Sequence, residues 1–312
     1  MSTQSNAAPE LGPESRFDPP RNAPPAMSTR PMYWSVRREL WENRSTYIAP
    51  LGAGAVMLLG FLITLIGLPR SVRALAALQP AQQRAALVMP YGHVGMLLAL
   101  TAFIIGVFYC LDALHGERRD RSILFWKSLP VSDLATVLAK ASIPLVVLPL
   151  FVFAIVFAVQ LTMLLLSAAV LLLSGVGTAM LWAQVPFFEI ELVLLYCLAA
   201  MALWHAPIYG WLLLVSGWAR RAPFLWAVFP PLAICAFEKI AFNTTHFAAL
   251  LGYRLIGMFT EAIRSPADPH FIPLSQLTPG KFLTTTGLWI GLAIAALLLA
   301  AAVRLRRYRA PI

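Results

Sequence analysis

The chain has 312 residues, 59% of them hydrophobic and only 12% charged, and its mean hydropathy is +0.74. A soluble domain is about 45–50% apolar and about 25% charged, so this composition excludes an ordinary water-soluble fold and points to a membrane protein. The net charge of +10 does not imply nucleic acid, because Lys and Arg of a membrane protein collect in the loops on one side of the bilayer.

Residues 1–31 hold seven prolines and few large apolar groups. Such a segment cannot bury enough surface to offset its chain entropy, which predicts a disordered tail. It has no apolar stretch of the kind a signal peptide carries. Residues 32–46 follow, from "MYWSVRRELWENRST". Tyr33, Val36 and Leu40 recur at roughly helical spacing, Trp34 and Trp41 stand near them, and Arg37, Arg38, Glu39 and Arg44 fill other positions. This pattern predicts an amphipathic helix in the headgroup layer. A charged flank that only anchors the first span is the alternative.

Six apolar runs suit membrane-spanning helices, at about 47–68, 93–111, 142–165, 191–216, 223–242 and 284–303. A helix of about 20 residues covers the roughly 30 Å of hydrocarbon. The third run continues to residue 173, longer than one span needs, and breaks at Gly175 and Gly177. The fold expected is therefore all-α, a polytopic integral membrane protein of six transmembrane helices within 47–303. With the N-terminus inside, seventeen Lys and Arg fall on the cytoplasmic side against seven outside, so both termini are expected to be cytoplasmic. In the outer segment 243–283, Arg254, Glu261 and Arg264 share one helical stripe, while Leu251, Leu255, Met258, Phe259 and Ala262 fall on the other side. That predicts a helix lying on the outer leaflet or dipping partly into it. The basic end, 304–312, reads as an anchor to anionic lipid, with a contact to a partner protein as the alternative.

The cytoplasmic loop 112–140 is longer and greasier than a connection requires. Arg118, Arg119 and Arg121 precede Ile123, Leu124, Phe125, Trp126 and Leu129, and Pro130 ends the run. A short helix here would present an apolar knob beside a ring of cations, the format of helix-in-groove recognition. The competing reading lets Phe125 and Trp126 dip into the headgroups.

The loop resembles the one between the second and third spans of type-2 ABC transporter permeases. Glu117 stands thirteen residues before Pro130, Ser122 falls where the family has Thr, "LPVS" is Leu129 to Ser132, and Lys140 lies ten beyond Pro130. The start, "RRELWENRS" (37–45), is similar to the interfacial helix of that family. Arg121 departs from the usual Gly, and Phe125, Trp126 and Lys127 are bulkier or more basic than the usual leucine-like positions. The resemblance implies a permease subunit of an exporter in a bacterial inner membrane, assembled as a homodimer or heterodimer with a separate ATP-binding cassette ATPase. Glu117, Arg118, Arg119, Arg121, Ser122, Ile123, Leu124, Phe125, Trp126, Leu129 and Pro130 would then dock that ATPase. ATP and magnesium would bind to the partner, and 304–312 would contact that ATPase in the segment's alternative reading. The chain itself has no GxxxxGK[ST] loop and is not expected to be an enzyme.

Within the spans, Gln160, His205, Pro207 and Glu238 are candidates for a substrate path, each with a structural alternative: His205, for instance, could simply bond a neighbouring helix. Scarce intramembrane charge favours an amphiphilic or hydrophobic cargo. The spans contain no paired carboxylates, HExxH or Ser/His pair at depth, and the sequence has no Cys/His cluster, so neither an intramembrane enzyme nor a metal site is indicated. A non-transport scaffold or sensor subunit is the remaining alternative.

Overall fold

A computed structural model describes residues 31–122, 125, 131–264 and 272–308. Among them the fold is all-helical, with one isolated bridge, between Ile263 and Leu277. Six helices are long and apolar enough to cross a membrane: Ser45–Leu65, Pro80–Arg119, Asp133–Leu173, Ala179–Trp218, Pro223–Phe242 and Thr286–Tyr308. Each contains one of the six expected runs or nearly all of it.

In chain order, α1 (Pro31–Glu42) is the helix expected in the headgroup layer and α2 (Ser45–Leu65) the first span. Next come the short α3 (Leu68–Leu75) and the second span, α4 (Pro80–Ala113). α4 has 34 residues, about 51 Å at 1.5 Å per residue, which is longer than the roughly 30 Å of hydrocarbon. The first thirteen residues of this helix lie outside the expected run at 93–111, and they include Pro80 and Pro90. Pro80 occupies the first turn, where its missing N–H costs nothing. Pro90 sits between the buried Val88 and Tyr91, and the neighbouring spans hold the helix together through it.

α5 (His115–Arg119) ends the second span, and α6 (Asp133–Ser142) opens the third. α6 starts because Ser132 caps it: its Oγ accepts the Ala135 N–H at 3.1 Å, with Asp133 in the first turn. A π-helical turn at Ile143–Val147, which includes Pro144, leads into α7 (Leu148–Leu173), with Pro149 in its first turn. The expected break follows. Gly175 takes φ 66, its N–H bonds Leu172 O, and the Val176 N–H bonds Leu171 O, the double closure that favours glycine.

α8 (Ala179–Gln184) precedes α9 (Phe187–Trp218), then α10 (Pro223–Phe242), α11 (His246–Ala262), α12 (Pro279–Thr284) and α13 (Thr286–Tyr308). α9 is the central post, packed most extensively on α13 and then on α4. Trp204, halfway along it, is fully buried. α10 is peripheral: only 6% of its apolar window is buried, so its surface is left to lipid or another subunit.

α2 reaches the bundle through α7 and α4. Gly54 permits this approach, since a Cβ there would lie 3.0 Å from Ile155 Cγ2 and 3.3 Å from Val159 Cγ2. Gly54→Leu is expected to cost about 1–3 kcal/mol by overpacking, seen as a lower melting temperature in detergent, whereas Gly52→Leu, with nothing within 4 Å of its Cβ, leaves it unchanged.

Candidate functional site: a buried ion network at the base of the loop

The N-terminal helix and the end of the last span meet at one end of the bundle, and six charged side chains join them there. Glu39 on α1 is 1% exposed and Lys140 on α6 is 1% exposed. Lys140 Nζ donates to Glu39 Oε1 at 2.9 Å and Oε2 at 3.0 Å, and lies 3.1 Å from Glu117 Oε1. Arg38 donates to Glu39 at 2.6 Å and to Glu117 at 3.2 Å. Arg306 on α13 donates to Glu117 Oε2 at 3.1 Å and to Asp133 Oδ1 at 2.5 Å. Tyr109 Oη completes the shell of Glu39 at 2.9 Å. Three acids thus face three bases, a neutral set drawn from α1, the end of the second span, the start of the third and the end of the sixth.

Burial opposes ionisation of Glu39, but Lys140 and Arg38 outweigh it and hold the carboxyl below its usual range. A second lock lies beside this network. The Arg118 guanidinium is 5% exposed and donates to Gly217 O at 2.8 Å and Ala219 O at 3.2 Å, the unpaired carbonyls at the end of α9. Ser216 Oγ accepts the Leu114 and His115 N–H groups at 3.0 and 2.9 Å.

These positions divide the expected docking set into buried and exposed members. Glu117 and Arg118 point inward and position the base of the loop instead of presenting themselves to a partner. The reason is proximity: ionic partners and free carbonyls lie within reach at that end of the bundle. Arg119 stays exposed, paired with Asp120 at 3.1 Å. Arg121 is exposed and takes φ 57, the left-handed region that favours glycine. Ser122 Oγ lies 3.4 Å from Glu117 O, and Phe125 is 60% exposed. Ile123, Leu124, Trp126, Leu129 and Pro130 lie outside the described residues, as do residues 1–30 of the tail expected at 1–31; Pro31 opens α1. Of the basic end, Arg306 on α13 turns into the network, whereas Arg304 and Arg307 stay exposed.

The four substrate-path candidates are held separately. Gln160 Nε2 donates to Tyr91 O at 3.1 Å between α7 and α4. The His205 ring lies between Met201 O at 2.8 Å and Leu255 O at 3.1 Å, bridging α9 to α11, and Pro207 is buried two residues on. Glu238 caps α11, accepting from Thr244 Oγ1, His246 N and Phe247 N at 2.7–2.8 Å. A shallow apolar groove runs beside the π-helical turn, lined by residues including Leu145, Pro149, Leu195 and Leu198, and it contains none of the four.

Arg254, expected on a polar stripe, also turns inward. Its guanidinium lies 4.7 Å over the Trp204 ring and donates to Trp204 O at 3.3 Å and Gly287 O at 2.8 Å, pinning α11 across α9 and α13. A half-buried cation survives there because an indole face and two carbonyls replace water.

Sequence reasoning passed over Glu39, Tyr109 and Arg306 as members of a site. The usable signal was Lys140, a cation at the mouth of an apolar run, which calls for a carboxylate partner. No group of His, Cys, Asp and Glu suited to a metal ion occurs among the described residues. No protein-family model, curated protein or solved structure matches the chain.

Removing one member of a buried pair strands the other. Lys140→Met is expected to cost about 3–5 kcal/mol, and Glu39→Gln with Lys140→Met less than that, because the double variant leaves no charge uncompensated; thermal unfolding in detergent measures both. The pH dependence has a defined sign. With its carboxyl held low, Glu39 contributes stability that is present above the ordinary carboxylate value of about 4.3 and lost as pH falls through the lower folded value. The difference in melting temperature between wild type and Glu39→Gln should hold from pH 7 to pH 5 and shrink below about pH 4.

Proposed function

We propose that this chain is the membrane-spanning subunit of an ATP-binding cassette transporter, exporting an amphiphilic or hydrophobic substrate, with ATP and magnesium bound by a separate ATPase docked on loop 112–140. One observation carries the reading: the base of that loop is bolted to the bundle through the Glu39–Lys140–Glu117–Arg306 network and the Arg118 lock. A connecting loop needs no such anchorage. A loop that must transmit a push needs it, because any slippage would dissipate the preference of nucleotide for one state over the other.

The loop resemblance supports the same reading at Arg121, which adopts a glycine-like conformation where the family pattern has Gly. The paucity of intramembrane charge fits a lipidic cargo better than an ion. In this mechanism Phe125 and Trp126 anchor in a groove of the ATPase. Nucleotide closure draws two docked loops together, and the spans tilt as rigid bodies. The network end, with both termini, then faces the bacterial cytoplasm, and a second permease subunit accounts for the uncovered face of α10.

Phe125→Ala with Trp126→Ala tests the assignment. The purified variant is expected to keep the melting temperature and gel-filtration profile of the wild type while losing the nucleotide-binding subunit that co-elutes with the wild-type chain. Retention of that subunit by the folded variant would refute docking at this loop.

A further inference from the structure

The orientation of α1 is fixed by its buried side. Ser35 and Glu39 are covered, Glu39 is held by Lys140, and the helix cannot roll about its axis without breaking that pair. The opposite sector is therefore permanently presented. It carries Tyr33, Trp34, Arg37 and Trp41, spaced by three and four residues, and Arg44 follows at the joint with the first span. Trp34 is 56% and Trp41 67% exposed. Both acids of the helix, Glu39 and Glu42, lie outside this sector, so its charge is purely positive.

Arg37 is the unusual element. Its guanidinium lies 5.4 Å over the Trp34 ring and 4.8 Å over the Trp41 ring, held between residues one turn before and one turn after it. Among the described residues it makes no side-chain hydrogen bond and no ion pair. Two indole faces immobilise the cation and leave its N–H edge to donate. The span begins at Ser45, three residues after α1 ends, so the sector sits at the membrane boundary, where indoles partition into the headgroup layer.

We propose that Trp34, Arg37 and Trp41 form a clamp for the phosphate of an anionic phospholipid headgroup, the guanidinium binding the phosphodiester oxygens and the indoles flanking the glycerol region. Charge complementarity selects the occupant: a cationic, acid-free sector at headgroup depth meets a surface of fixed negative charge. The assignment is independent of the transport reading.

The test is native mass spectrometry of the full chain in detergent, titrated with phosphatidylglycerol, phosphatidylcholine or inorganic phosphate. Wild type is expected to retain phosphatidylglycerol over phosphatidylcholine and to bind no free phosphate. Arg37→Gln, and separately Trp34→Leu with Trp41→Leu, should weaken phosphatidylglycerol retention about tenfold, while Arg220→Gln with Arg221→Gln leaves it unchanged. Arg37→Lys, which keeps the charge and loses the planar fork, should fall between. Equal phosphatidylglycerol retention by wild type and Arg37→Gln would overturn the clamp. So would an equal loss in the Arg220/Arg221 variant, which would mean diffuse attraction to the basic end, or competition by free phosphate, which would mean a simple anion site. If Arg37→Gln keeps its lipid and loses a co-purifying soluble protein instead, the sector is a protein contact and the proposal fails.

Discussion

A carboxylate with 1% exposure, packed against a bundle of apolar helices, survives only if its charge is answered on the spot. Glu39 is answered by Lys140 and Arg38, and Lys140 in turn also lies against Glu117. Glu117 needs more positive charge than those two supply to it, and Arg306 brings it from the last helix, with Asp133 balancing Arg306. Each residue is tolerable because the next is present. The set is neutral as a whole and unstable in part, so it commits four distant segments to one arrangement. Helix α1 cannot roll, the second and third spans cannot slide past each other at this end, and the last helix is tied across them.

The opposite part of the bundle is organised by different means. There, helix ends and carbonyl groups are satisfied by single side chains: Glu238 at the start of α11, and Arg254 over Trp204 and against α13. Glu189 accepts from Arg84 at 3.1 Å and from the Leu274 N–H at 3.0 Å. These contacts hold short elements onto the post formed by α9, whereas the ionic end binds whole spans to one another.

The six spans and the break after Leu173 were legible because they depend on sums over neighbouring residues: hydropathy over a helix length, and a glycine where the chain must turn left-handed. The start of α4 was not, because a proline inside a helix is a local penalty that only the surrounding spans offset. Glu117 and Arg118 read as surface charge for a similar reason. Nothing near them in the chain says that Arg38, 79 residues away, and Arg306, 189 away, converge on Glu117. Nor does it say that the end of α9 offers Arg118 two carbonyl oxygens. His205 was ambiguous between a site and a bridge, and its ring contacts with Met201 and Leu255 make it a bridge between helices.

What the sequence determined by itself is the class of the molecule: all-helical, six spans, an amphipathic helix before the first and a basic, aromatic loop between the second and third. These properties follow from composition and spacing, which act over a few helical turns and need no knowledge of the partner surface. Tertiary structure decided which charges are lost from water and which remain in it. Glu39, Glu117, Arg118 and Arg306 were drawn inside, and Trp34, Arg37 and Trp41 were left facing out. The physical reason is that a charge's burial depends on whether an opposite charge arrives in three dimensions. That is a property of the assembled bundle and not of any stretch of chain.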